Sequence, residues 1–193
     1  MTGWLYEFGF RGLLAEEALD KAGRQNPRLL GQLDVSLATT LSIDLLDPYH
    51  VENAQVMATV YTAISAFENS VRDFVERILI ERYSETWWSD AFPSDVRKRA
   101  EKRRDDEQAT RWHTPRGESP INYTELGDLV DVMGKDQHRE LFEPYIRSHE
   151  WAAAVFHVVE RARNVIMHSG SLEKADIERL GMNIRDWVRQ VSI

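Results

Sequence analysis

Six consecutive residues near the C-terminus, Arg163-Asn164-Val165-Ile166-Met167-His168, bring together side chains able to do polar chemistry. Arginine supplies a permanent planar cation whose N–H fork fits phosphate oxygens. Histidine exchanges a proton near neutral pH and is the commonest side chain in general acid or base roles. The types are suited to handling an anion, a cation and a proton carrier five residues apart with the polar Asn164 beside the cation. The same residues admit a purely structural account. Arg163 would then pair with Glu160 or another surface acid, Asn164 would be solvated, and His168 would be a helix-end cation supporting the cap.

The element that positions these residues is a helix. Trp151, Val155, Val158, Val159, Ala162, Val165 and Ile166 recur at helical spacing and predict an amphipathic helix that stops near Ser169-Gly170, where glycine suits a left-handed cap. With Ala162 as the centre of the apolar stripe, Arg163 falls roughly 100° to one side and His168 roughly 120° to the other. Asn164, Glu160 and Met167 share this outward half. A methionine beside such a polar cluster favours coverage by another chain. The closing helix follows at once, with Ser171 as its N-cap, Glu173 and Asp176 in its first turn, and Ile177, Leu180, Ile184, Trp187, Val188 and Val191 as its apolar face.

The strongest periodicity lies earlier. From Val56 the positions Val60, Ile64, Phe67, Val71, Phe74 and Ile78 trace one face of a long helix, widened by Ala63, Val75 and Leu79. Glu68 and Arg72 on it stand at the i,i+4 spacing of an ion pair. Leu30, Leu33, Leu37, Leu41 and Leu45 predict a helix ended by Asp47-Pro48, and Ser94-Asp95 opens a basic helix. Thr110 to Pro120 reads as a loop, followed by shorter helices over Tyr123 to Met133 and Gln137 to Ile146. Trp4, Tyr6, Phe8 and Phe10 mark an N-terminal segment that packs as an extension or against a partner. The chain is therefore all-α, a helical bundle over residues 51–193 preceded by an N-terminal helical extension over residues 1–50.

Composition limits the function classes. The chain has 193 residues, 42% of them hydrophobic, which is enough for one core. It contains no cysteine, so disulfides, thiol catalysis and thiolate metal sites are excluded. No signal peptide or membrane span is visible, and the expected location is cytoplasmic. A formal charge of -8 argues against non-specific polyanion binding. The run Arg97-Lys98-Arg99-Ala100-Glu101-Lys102-Arg103-Arg104, followed by Asp105-Asp106-Glu107, reads first as a solvated self-neutralising helix, with a nucleic-acid contact as the other option. Trp87-Trp88 reads as a core or interface anchor before a base-stacking platform. His50, His113, His138, His149 and His157 show no metal-ligand spacing, and no Gly-rich phosphate loop is present. No cofactor and no metal are expected.

Arg-Asn-x-x-x-His at the end of a helix, after a long amphipathic helix and before a closing one, resembles the signature of the HEPN superfamily of helical bundles. Phe67-Glu68-Asn69-Ser70-Val71-Arg72 is similar to the Glu and Arg pair on the early long helix of some branches. Tyr123-Thr124-Glu125-Leu126-Gly127-Asp128-Leu129 resembles the segment those branches place before the signature helix. The resemblance covers approximately Val56 to the C-terminus.

It implies a metal-independent endoribonuclease that dimerises through the signature helices, so that Arg and His from both chains form one cleft. Arg163 and His168 would be the catalytic pair, Asn164 a polar helper, and Glu68 and Arg72 supports. RNA cleavage without a metal needs an activated ribose 2′-hydroxyl, charge stabilisation on phosphorus and a proton for the departing 5′-oxygen. His168 at the negative helix end suits a general acid or a phosphate-gripping cation. A toxin or antiviral-defence effector acting on tRNA or mRNA, with a neutralising protein partner, is the natural setting. The alternative is a catalytically silent HEPN-like module for dimerisation or protein docking.

Overall fold

A computed structural model describes residues 35–191, apart from Arg111, His113 and Arg147, and every described element is helical. The aromatic segment from Trp4 to Phe10 and the leucines Leu30 and Leu33 lie outside the described residues. The chain divides between Val51 and Glu52 into two units. In the first, the helix expected to run to Leu45 ends at Thr40. Helix α1 spans Val35–Thr40, Ser42 takes a left-handed backbone (φ 53°), and a 3-10 turn covers Ile43–Leu45.

Pro48 begins the long helix α2, Pro48–Tyr83, eight residues earlier than the apolar pattern from Val56 predicts. Asp47 accounts for this. Its Oδ1 accepts from the Tyr49 amide at 2.9 Å and its carbonyl accepts from the Val51 amide, which is the work of an N-cap. Proline is at home directly after such a cap because its missing N–H would have no helical acceptor there.

The second unit is built on the buried face of α2. Ile64, Phe67, Val71, Phe74, Val75, Ile78 and Leu79 are all buried, at the expected spacing. Beyond α2 come α3 (Trp87–Ala91), α4 (Ser94–Gln108), a 3-10 turn (Pro120–Tyr123), α5 (Leu126–Gly134) and α6 (Asp136–Phe142). The last two are α7 (His149–Met167) and α8 (Lys174–Val191), which pack on each other. Trp187 of α8 centres the core, edge-on to Phe67 and Phe74 of α2, 4.8 Å from the Phe156 ring of α7 and stacked on Trp151. Such ring pairs add about 1 kcal/mol each to what burial alone contributes. Trp87 is buried against Phe92, consistent with a core anchor. Val165 and Val188, assigned to apolar faces from their spacing, are instead exposed.

Helix α4 has only Val96 and Ala100 buried, so charge rather than apolar area ties it down. Arg99 bridges Asp95 of its own helix and Asp128 of α5, both at 2.8 Å. Arg103 donates to the Tyr123 carbonyl at 2.7 Å and pairs with Glu125. The run of cations is thus partly consumed in holding the neighbouring segment. No described helix is long and apolar enough to cross a membrane.

Candidate functional site

Helix α7 starts at Ser148, whose hydroxyl oxygen accepts from the Trp151 amide, and ends with His168 as C-cap. Its end is a two-bond cap. The Gly170 amide donates to the Val165 carbonyl at 2.8 Å, and the Ser169 amide donates to Ile166 at 2.9 Å. The left-handed residue is Ser169 (φ 60°), not the glycine. Gly170 is needed for another reason. A Cβ there would sit 2.8 Å from Val165 Cγ1 and 2.9 Å from the Val165 carbonyl oxygen, too close for any side chain. The closing helix is entered through Glu173, whose carbonyl accepts from Asp176 and Ile177, so Ser171 is not its N-cap.

This cap fixes where the polar residues point. Asn164, Met167 and His168 are exposed, as the helical phase predicts. Arg163 departs from that expectation. It is half-buried, and its Nη1 donates across to Glu68 Oε1 on α2 at 3.4 Å. Its partner is therefore neither Glu160 nor a surface acid, because Glu68 is itself only 8% exposed.

Glu68 holds two arginines. Oε1 receives Arg163, and Oε2 receives Arg72 Nη2 at 3.3 Å, the i,i+4 pair anticipated from spacing but here buried. Arg72 reaches further, to the Thr124 carbonyl at 3.5 Å, while its Nε is buried with no acceptor. Three charges, one negative and two positive, thus lie between α2 and α7 with a net positive excess. A desolvated carboxylate is tolerated only when cations and donors compensate it. Both arginines do so, and the Arg163 side chain remains 30% exposed.

The Tyr123–Asp128 segment completes the surroundings. Thr124 is buried, and Glu125 caps α5 while its amide donates to Asp128 Oδ2 at 2.9 Å. Asp128 is also the acceptor of Arg99. The sequence placed Arg99 and Arg103 in a basic run and Thr124 and Asp128 in the segment before α7, but gave no sign that they hold each other. The Glu125-x-x-Asp128 spacing of a capping box was the available signal.

Two other features lie apart from this site. A cleft of about 280 Å³, lined by Met133, Gly134, Phe142, Ile146, Ser148 and His149, sits at the opposite end of α7. His138 is fully buried, with Nδ1 2.7 Å from the Val132 carbonyl and Nε2 3.0 Å from Gln137 Nε2. A carbonyl can only accept, so Nδ1 carries the proton and Nε2 accepts from Gln137. Burial pushes this imidazole below its ordinary value, against the opposing effect of the Val132 hydrogen bond, and Lys135 adds to the lowering. Among the described residues no group of three or more His, Asp or Glu side chains is arranged to hold a metal ion.

Arg163 and His168 thus close α7 of an all-helical chain, with Arg163 held by an acid on the long helix α2. Residues 62–192 match the family model Swt1-like HEPN, which covers more than half of the chain. The protein belongs to the HEPN superfamily. Searches of curated proteins and of solved structures returned no match.

Proposed function

We propose that this HEPN domain is a metal-independent endoribonuclease, with Arg163 and His168 as its catalytic pair and Asn164 as a polar helper. The observation that carries the reading is the end of α7. There a half-buried arginine, held by a buried carboxylate, shares one helix terminus with the exposed residues His168 and Asn164. In the reaction, the 2′-hydroxyl loses its proton and its oxygen attacks phosphorus. Arg163 stabilises the charge gathering on the phosphate oxygens, and the P–O5′ bond breaks as the 5′-oxygen takes a proton. In this reading His168 moves one of these protons.

Arg163 and His168 lie about 140° apart around α7, so one helix does not turn both onto one phosphate. A second copy supplying the complementary pair resolves this, and exposed Met167, which lies between Arg163 and Asn164 around the helix, gives it an apolar contact. RNA such as tRNA or mRNA is the substrate class. A cytoplasmic toxin or antiviral effector, with a neutralising protein partner, is the setting we favour.

The second reading is a silent docking module, favoured by the Arg163 to Glu68 pair, which satisfies the arginine without substrate. Purified protein incubated with total RNA in EDTA separates the two. The ribonuclease reading expects cleavage that falls at least a hundredfold in both Arg163→Ala and His168→Ala. Cleavage that persists in both variants contradicts it, and intact RNA with wild type supports docking.

A further inference from the structure

We infer that Arg99 and Arg103 of the basic helix α4 are positioning residues for Arg163, acting through the Tyr123–Asp128 segment and the Arg72–Glu68 pair. This rests on the reading of Arg163 as the phosphate-contacting group.

The path is continuous. Arg103 grips the residues on both sides of Thr124, through the Tyr123 carbonyl and the Glu125 carboxylate. Arg99 holds Asp128, whose other oxygen accepts from the Glu125 amide. Thr124 is thereby fixed from both flanks, and its hydroxyl donates to the Ile121 carbonyl at 2.7 Å. The Thr124 carbonyl is one of two acceptors that Arg72 reaches, the other being Glu68. Arg72 Nε has no acceptor, so those two contacts of Nη2 are the hydrogen bonds that hold this guanidinium. Glu68 then presents Oε1 to Arg163.

The bonds at the inner end are long, 3.3 to 3.5 Å, while those at the α4 end are near 2.8 Å. The basic run, which offered a nucleic-acid surface on composition, here acquires a structural task that two of its arginines perform through side-chain geometry rather than through net charge.

The Nε–Hε resonance of Arg163 in 15N-labelled full-length protein, assigned by its loss in Arg163→Lys, reads the path without any need for activity. In Arg103→Gln it should shift and its solvent exchange should speed at least threefold, with partial recovery in Arg103→Lys. Lys98→Ala, an exposed position on the same helix, should leave it unmoved. Asp128→Asn provides an independent second variant should Arg103→Gln fail to fold. In RNA cleavage, Arg103→Gln should lower kcat about tenfold or more with KM within twofold, because misplacement of a catalytic group acts on the transition state. A resonance unmoved in Arg103→Gln or, where that variant does not fold, in Asp128→Asn overturns the inference, as does an equal shift in Lys98→Ala. Wild-type protein that leaves RNA intact overturns the ribonuclease reading instead, and the resonance still decides the path.

Discussion

Glu68 Oε1 and Arg163 Nη1 lie 3.4 Å apart across 95 residues of sequence, joining the long helix to the signature helix through a carboxylate that also holds Arg72. A double-mutant cycle in urea denaturation should therefore find Glu68→Gln and Arg163→Ala non-additive, with a coupling of about 1 kcal/mol. The value is modest because the Arg163 side chain is 30% exposed and solvent screens its half of the pair. Glu68→Gln alone should cost more, about 3 kcal/mol, since it leaves the buried Arg72 without a counter-charge. Additive effects would mean that the two side chains meet without interacting.

The cap that presents His168 makes opposite predictions for adjacent residues. Ser169 sits at φ 60°, a conformation that costs an L-residue about 1 kcal/mol, so Ser169→Gly should stabilise the protein by about that amount. Gly170→Ala should destabilise it by about 1 to 2 kcal/mol, because the new Cβ is driven onto the Val165 carbonyl. Urea midpoints measured in parallel check both signs.

Buried His138 gives stability a pH dependence of defined sign. Its folded value is depressed below the ordinary 6.5, so the unfolded chain binds the proton first as pH falls. The contribution is fully present above about pH 6.5 and is lost as pH drops from there toward the depressed folded value. Protonation would also place a second donor at Nε2 against Gln137 Nε2, which already donates there. The urea midpoint of wild type should decline below pH 6.5, and His138→Gln should flatten that decline. A slope identical in the two proteins over pH 5 to 6.5 would contradict the assignment.

The helical class and the core face of α2 were legible because buried apolar residues must recur at 3.6-residue spacing, from Ile64 to Leu79. The outward direction of Asn164 and His168 followed from the same arithmetic. Arg163 escaped it because a long side chain at the edge of the stripe can reach a neighbouring helix, and periodicity contains no information about what that neighbour offers. Val188 and Val165 were misplaced for the converse reason, since apolar character does not oblige a residue at the stripe's margin to be covered. The start of α2 was missed because Asp47-Pro48 reads equally as the end of one helix and the beginning of the next. Glycine next to serine suggested the left-handed cap at Gly170, whereas steric crowding at Val165 assigns that glycine its place and leaves Ser169 with the positive φ.

The chemistry proposed for Arg163 and His168 leaves a signature in the ends it makes. Attack by the 2′-hydroxyl gives a 2′,3′-cyclic phosphate on one fragment and a 5′-hydroxyl on the other. End-group analysis of RNA cleaved in EDTA should find this pair of termini with wild type and lose it at least a hundredfold with His168→Ala. Products ending in 3′-hydroxyl and 5′-phosphate, or cyclic phosphate formed equally by His168→Ala, would contradict the account.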